Sequence, residues 1–306
     1  MSTWYKRWWW LAIPLLALAL HAADYLHARW VAQRYAEWSE TIVRGADGVR
    51  EGFEPIKTGE GEQGLLFVHG FAGSPSLFRY FIEDLASAGY RCKAIRLPGF
   101  GEPVTQAATV TADDWLETVR EAADLMRSDT ESLWIVAHSL GATIALQAWQ
   151  EDAGLADGLV LITPLLEVST ARSPLLTPRA WFRVGRRLLV YSTMFESIFP
   201  VDAHDDYVRE AELRDRFIPF PIYAEIFAML KRFERQPAYP EVPLLLMLAE
   251  NDRIVDNATA RQWFEAVPGD DKSLLTQPRA GHVIPLDTGW QEAVEEMKTF
   301  MQQYAQ

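Results

Sequence analysis

Three side chains far apart in the chain have the types needed for nucleophilic acyl transfer. Ser139 lies in Ala137-His138-Ser139-Leu140-Gly141, Asp252 in Ala249-Glu250-Asn251-Asp252-Arg253-Ile254-Val255, and His282 in Ala280-Gly281-His282. A serine hydroxyl is a weak nucleophile until a base takes its proton. The base in turn needs an acid to hold its tautomer and stabilise the imidazolium. Around Ser139 the residues 133–137 read as an apolar strand and 141–149 as a helix. Small residues two before and two after the serine suit a sharp strand-to-helix turn that lifts Oγ clear of the backbone. The usual first glycine is here Ala137, the next smallest residue. Taken alone, the pentapeptide fits equally well a buried βα turn with an N-capping serine.

The other members decide between these readings. Of the six histidines, His21 and His27 adjoin an N-terminal apolar run, His138 is next to the serine on a turn where successive side chains point apart, and His204 sits in an irregular region. His282 follows the last strand and precedes the last helix, so it is the expected base. Asp252 follows the strand at 244–249 and is the expected acid; Glu250 and Asp256 are its neighbours, and Asp256 is expected to cap the helix that starts near Ala258. A developing oxyanion needs donors. His69-Gly70-Phe71-Ala72-Gly73 follows the first strong strand, and the backbone N–H of Phe71 would pair with that of Leu140. His69 is expected to brace this loop rather than react.

The elements that must position these groups alternate. Strands are expected at 62–70, 90–97, 133–137, 158–162, 244–249 and 273–276, and helices at 77–88, 111–126, 141–150, 258–266 and 290–303. Such alternation implies βαβ units and a mostly parallel sheet covered on both faces. The pattern breaks over 165–240, where helical pieces carry many aromatics, among them Phe182, Phe195, Phe220, Tyr223 and Phe227. That insertion lies at the carboxyl edge of the sheet, where ligand sites of such folds are found.

The 306 residues are 49% hydrophobic and carry a formal net charge of -13, which argues against nucleic acid as a partner. Cys92 is the only cysteine, so there is neither an intrachain disulfide nor a cysteine metal cluster, and its expected place is a strand in the core. Trp4, Trp8, Trp9 and Trp10 surround Lys6 and Arg7, and an apolar run continues to Leu20. Basic residues, tryptophans and an apolar run together read as a membrane-interface entry. The run is shorter than the about 20 residues of a spanning helix. Residues 1–26 are expected to be a single-pass anchor with the catalytic domain outside the cytoplasm; a cleaved signal segment and a buried core helix are the alternatives. Residues 27–60 would then be a stem.

Five stretches together resemble one family: LeuPheValHisGlyPhe at 66–71, LeuProGlyPheGly at 97–101, AlaHisSerLeuGly at 137–141, AlaGluAsnAspArgIleVal at 249–255 and AlaGlyHis at 280–282. The chain is similar to α/β-hydrolase-fold serine hydrolases of the monoglyceride-lipase, lysophospholipase and bacterial carboxylesterase branch. It departs at Ala137, and at Phe100 where relatives often carry histidine. The resemblance implies a core of 61–164 and 241–306, a helical cap over 165–240, and the order Ser139, Asp252, His282. It implies hydrolysis of a small-molecule carboxylic ester, lipid-derived or otherwise apolar, with no cofactor and no metal. Peptidase, thioesterase and carbon–carbon hydrolase chemistry share this triad, and a tethered, non-catalytic binding module shares the fold. The oligomeric state is left open.

Overall fold

The computed structural model describes residues 9–197, 199–210 and 214–304. Its strands are β1 (Ile56–Thr58), β2 (Gln63–Val68), β3 (Arg91–Ile95), β4 (Ser132–His138), β5 (Gly158–Ile162), β6 (Met194–Glu196), β7 (Phe217–Pro219), β8 (Leu244–Ala249) and β9 (Lys272–Gln277). The helices are α1 (Trp9–Glu40), α2 (Arg79–Ser87), α3 (Val104–Ala107), α4 (Ala112–Arg127), α5 (Leu140–Glu151), α6 (Pro178–Leu188), α7 (Asp206–Glu210), α8 (Phe220–Arg235), α9 (Asn257–Ala266) and α10 (Trp290–Gln302).

Seven strands form one sheet in the order β1-β3-β2-β4-β5-β8-β9, parallel throughout except for the antiparallel edge strand β1. Side chains alternate between its faces. Leu66, Val68, Ile135, Leu161, Leu246 and Leu248 meet α4, α5, α8 and α9 on one face, while Phe67, Val136, Ile162 and Met247 meet α2 and α10 on the other. Both faces are therefore dry, which is why these strands read as continuous apolar runs. Cys92 is buried in β3, where burial pushes its thiol up to about 12. The register pairs Val68 with Ala137, His138 with Ile162 and Ala249 with Gln277, so the loops carrying residues 69–73, 139–141, 163–165, 250–256 and 278–282 all leave the same edge.

Between β5 and β8 lie α6, α7, α8 and the short β6–β7 hairpin. Helix α8 faces two ways. Ile222, Met229, Leu230 and Phe233 enter the core against the sheet, and Gln147 on α5 donates from Nε2 to the Met229 carbonyl at 3.2 Å. Tyr223 and Phe227 pack at the margin of that core and also line a cavity.

The N-terminal segment requires a correction. Residues 9–40 form one helix, and among the described residues no helix is long and apolar enough to cross a membrane. This overturns the expected single-pass anchor at 1–26, the membrane as a partner through that segment, and the placement outside the cytoplasm that rested on it. The reason is Asp24, which is buried and accepts the backbone N–H groups of Val190, Tyr191 and Ser192 at 2.6, 2.8 and 3.2 Å. From there on α1 lies against the protein. Arg34 binds Glu196, which also holds Arg216, and Val31 and Trp38 pack with Phe217 and Val104. Residues 9–26 of the segment that could also read as a cleaved signal are continuous with the rest of this helix. Trp4, Lys6, Arg7 and Trp8 lie outside the described residues.

Candidate active site

Ser139 is the one residue between β4 and α5, and it adopts φ +53° and ψ −118°. L residues avoid such a backbone, so the surroundings must impose it. Gly141 is forced by space: a Cβ there would stand 2.4 Å from the Val68 carbonyl oxygen and 2.5 Å from that of His69. A Cβ on Gly70 would come within 2.8 Å of the Ser139 Cβ. The Ser139 N–H donates to Ile162 O at 3.0 Å, and its carbonyl accepts from Leu165 N at 3.1 Å. The turn is thus clamped between β2 and β5, with the side chain of Ala137 fully buried behind it.

The hydroxyl meets the two other residues expected from sequence. His282 Nε2 is 2.9 Å from Ser139 Oγ, and His282 Nδ1 is 2.7 Å from Asp252 Oδ2. A carboxylate only accepts, so Nδ1 carries the proton and Nε2 accepts the serine O–H. The other oxygen, Asp252 Oδ1, accepts from Ile254 N at 2.7 Å and Val255 N at 2.9 Å. Burial raises the pKa of Asp252, but His282 and these backbone donors outweigh it and hold the carboxyl below its ordinary value. Asp256 caps α9 through Thr259 N, as expected from sequence.

Several residues that hold His282 were not singled out from sequence. Its carbonyl accepts from His138 Nε2 at 2.9 Å and from Thr163 Oγ1 at 3.0 Å. His138 makes this bond to the His282 carbonyl rather than one to the serine hydroxyl, and so braces the loop that carries His282. Burial, with His282 close by, pushes His138 down to about 3, so it is a neutral donor. Thr163 sits at the end of β5 with φ +42°. Gly281 passes so close to Asp202 that a Cβ would lie 2.4 Å from the Asp202 carbonyl oxygen. Its N–H donates to the buried Asp287 at 2.6 Å, and Asp287 also collects the N–H groups of His204 and Asp205. His204 therefore contributes backbone here. A strand-end Thr, and an Asp five residues beyond the base, were the available signals.

The loop at 69–73 lies across from Leu140. His69 Nδ1 donates to Gly70 O at 2.8 Å and its Nε2 accepts from Leu97 N at 3.0 Å, so the ring is a neutral brace; burial lowers it to about 4. Among the described residues no acceptor pairs with the N–H of Phe71 or of Leu140. Two free donors beside a serine oxygen can receive a negative oxygen.

Two cavities meet at Ser139 and Phe71. One, of about 660 Å³, is walled by the insertion: Trp181, Phe182, Phe195, Phe220, Tyr223 and Phe227. The other, of about 250 Å³, contains His282 and three charged side chains, Arg172, Asp202 and Arg214. Among the described residues no cluster of His, Cys, Asp and Glu is arranged to hold a metal ion.

Comparison with known proteins agrees with this architecture. A family model described as serine aminopeptidase, S33 matches residues 59–289. The chain is 23% identical over 257 residues to a thermostable monoacylglycerol lipase from Bacillus sp. (strain H-257), covering 84% of this chain and 97% of that protein. It is 22% identical over 254 residues to phospholipase YtpA from Bacillus subtilis (strain 168), covering 78% and 95%. A solved structure of a soluble variant of monoglyceride lipase from Saccharomyces cerevisiae superposes with a TM-score of 0.71 at 15% identity, covering 86% of this chain and 94% of that one; at that identity the likeness is one of fold.

Proposed function

The chain belongs to the serine aminopeptidase S33 family and is a serine hydrolase of the α/β-hydrolase fold; from that premise we propose that Ser139, His282 and Asp252 are its catalytic triad and that it hydrolyses carboxylic esters of apolar, lipid-derived acyl groups. The observation that carries the proposal is the unbroken line from Asp252 through His282 to Ser139, at 2.7 and 2.9 Å. His282 Nε2 takes the hydroxyl proton as Ser139 Oγ bonds to the carbonyl carbon. The carbonyl oxygen becomes an anion between the N–H groups of Phe71 and Leu140. As the carbonyl reforms, the bond to the alcohol breaks, and the alcohol leaves with the proton from His282. Water then gives His282 a proton and attacks the acyl-enzyme. The acid departs, and Ser139 recovers its proton.

Residues 165–240 act in this proposal as a cap that selects the acyl group. Its aromatic cavity falls in the about 300–1,000 Å³ range of small-molecule sites. An apolar wall favours a hydrocarbon chain over a charged or sugar-like group. The curated relatives, a monoacylglycerol lipase and a phospholipase by name, support the same substrate class. Cleavage of peptides from a free amino terminus would call for an unpaired acid near Ser139. The acid in the second cavity, Asp202, is already bound to Arg172 at 2.7 Å, which favours esters.

The test is a series of p-nitrophenyl esters from acetyl to dodecanoyl, with wild type and Ser139→Ala. Expected is hydrolysis that rises from acetyl to the medium chains and disappears in the variant while the fold survives. Strict preference for acetyl, or activity retained by Ser139→Ala, counts against the proposal.

A further inference from the structure

An ester leaves its carbonyl in two directions. If the acyl chain takes the aromatic cavity, the alcohol portion is left to the smaller cavity on the His282 side. That cavity is charged in an uneven way. Asp202 receives Arg172 Nη2 on Oδ1 at 2.7 Å and Arg253 N on Oδ2 at 3.1 Å, so both of its oxygens are in use. Arg214 has no such partner: among the described residues it donates to the Phe199 carbonyl, and no carboxylate is within ion-pair distance. Burial and the neighbouring Arg172 guanidinium pull the Arg214 pKa below its ordinary value, but a guanidinium keeps its charge in a protein. Among the described residues the cavity therefore presents one positive charge in excess, partly withdrawn from water. Such a charge is costly unless something pairs with it.

Arg214 is also fixed in place relative to the reaction centre. Its carbonyl accepts from Arg50 Nη1 at 3.1 Å. The next residue, Asp215, donates its N–H to Ala72 O at 2.8 Å, one residue beyond Phe71. Asp215 spends its own carboxyl on Gly101 N at 2.6 Å and does not line the cavity. The backbone of Arg214 is thus tied to the loop that carries the Phe71 donor.

We propose that Arg214, with the Arg172–Asp202 pair beside it, is an anion subsite for the alcohol portion of the substrate, so that the enzyme prefers monoesters whose alcohol carries a phosphate or a carboxylate. The planar fork of donors on arginine matches both anions in a bidentate manner. The proposal deepens the ester-hydrolase reading and rests on it. It names the residue that separates a charged amphiphile from a neutral one carrying the same acyl chain.

The experiment uses three octanoyl esters, of glycerol, glycerol 3-phosphate and glyceric acid, with wild type, Arg214→Gln and Arg214→Lys. In wild type, kcat/KM for at least one charged ester should exceed that for the glycerol ester by about tenfold or more, the gain expected of a charge-assisted hydrogen bond. The faster of the two charged esters tells phosphate from carboxylate. Arg214→Gln should lower the charged-to-neutral ratio by about 10- to 100-fold, and Arg214→Lys by less. Glycerol 3-phosphate should slow the labelling of Ser139 by a fluorophosphonate probe in wild type, and this protection should weaken as sodium chloride is raised. Wild type that shows no preference for either charged ester overturns the subsite, as does a ratio unmoved by Arg214→Gln. If the variants fail to fold, the wild-type ratio and the salt-sensitive protection decide. Hydrolysis of the glycerol ester without any charged preference overturns the subsite and leaves the ester-hydrolase reading standing; no hydrolysis of any ester, with no labelling of Ser139, overturns both.

Discussion

The turn at Ser139 and the wall of the aromatic cavity both touch the same hydroxyl, yet they are built from different materials. The turn is made of backbone. Val68 O, His69 O, Ile162 O and Leu165 N define it, and no room remains for one added carbon at Gly141. The cavity wall is made of side chains. Phe71 meets Tyr223 at a centroid distance of 5.4 Å, Tyr223 meets Phe195 at 6.0 Å, Phe195 meets Phe220 at 5.6 Å and Phe220 meets Phe182 at 5.2 Å. A Cβ on Gly185, within this wall, finds its nearest neighbour at 3.5 Å, an ordinary contact. In the proposed reaction the chemistry would thus rest on positions with no spare volume, and substrate choice on positions where volume is open to change.

Substitutions in the two regions should differ in size of effect. The largest effect belongs to the hydrogen-bonded line behind the serine. Asp252→Asn should lower kcat by about 10⁴-fold, because an amide stabilises neither the required tautomer nor the imidazolium; stopped-flow or steady-state ester kinetics would show it, and a fall below tenfold would detach Asp252 from the chemistry. Next comes the turn. Gly141→Ala should cost about 3 kcal/mol in urea unfolding, as overpacking against immovable backbone does, and activity should fall with it. A neutral outcome would mean that the turn has slack.

A smaller effect is expected in the wall. Gly185→Leu should be tolerated in the fold, since leucine favours a helix more than glycine does. It should reduce kcat/KM for dodecanoyl relative to butanoyl esters by about tenfold, in line with the worth of a few methylenes in an apolar pocket. An unchanged chain-length profile would place the acyl group elsewhere. A last effect, confined to acid, concerns the brace behind His282. His138 has a folded pKa of about 3 against an ordinary 6.5. Above pH 6.5 the ring is neutral in both folded and unfolded chains and pH changes nothing. Below it the unfolded chain takes up a proton that the folded chain refuses, so stability falls as pH drops from 6.5 toward 3. Relative to His138→Gln, wild type should lose at most about 1.4 kcal/mol per pH unit across that window. Parallel curves from urea titrations at pH 7 and pH 5 would argue against the buried, neutral ring.

The same contrast explains how much the sequence revealed. Residues 158–162 and 244–249 were expected as strands and are β5 and β8, because a strand buried on both faces shows as an unbroken apolar run. Ser139, Asp252 and His282 could be picked out because each follows a strand end, and the structure brings them within hydrogen-bonding distance. Strand β1 has a single apolar residue, Ile56, and β7 ends in Pro219; neither carries a pattern to read. Thr163, His138 and Asp287 act on backbone groups of distant loops, and a contact made across 119 residues, as from Thr163 to His282, leaves no local signature. The N-terminal helix failed for the same reason: the partners of Asp24 lie 166 to 168 residues further on. Local pattern exposes what is built from neighbouring backbone and hides what is assembled by side chains over distance.

The proposed reaction stands or falls on Ser139 being a nucleophile activated by His282. Its most direct test is mass-spectrometric mapping of the adduct formed with a fluorophosphonate probe on the full-length protein. One adduct per chain is expected, on Ser139, and its loss in His282→Gln with the fold retained. An adduct on a different serine, or none on a folded wild-type chain, would contradict it.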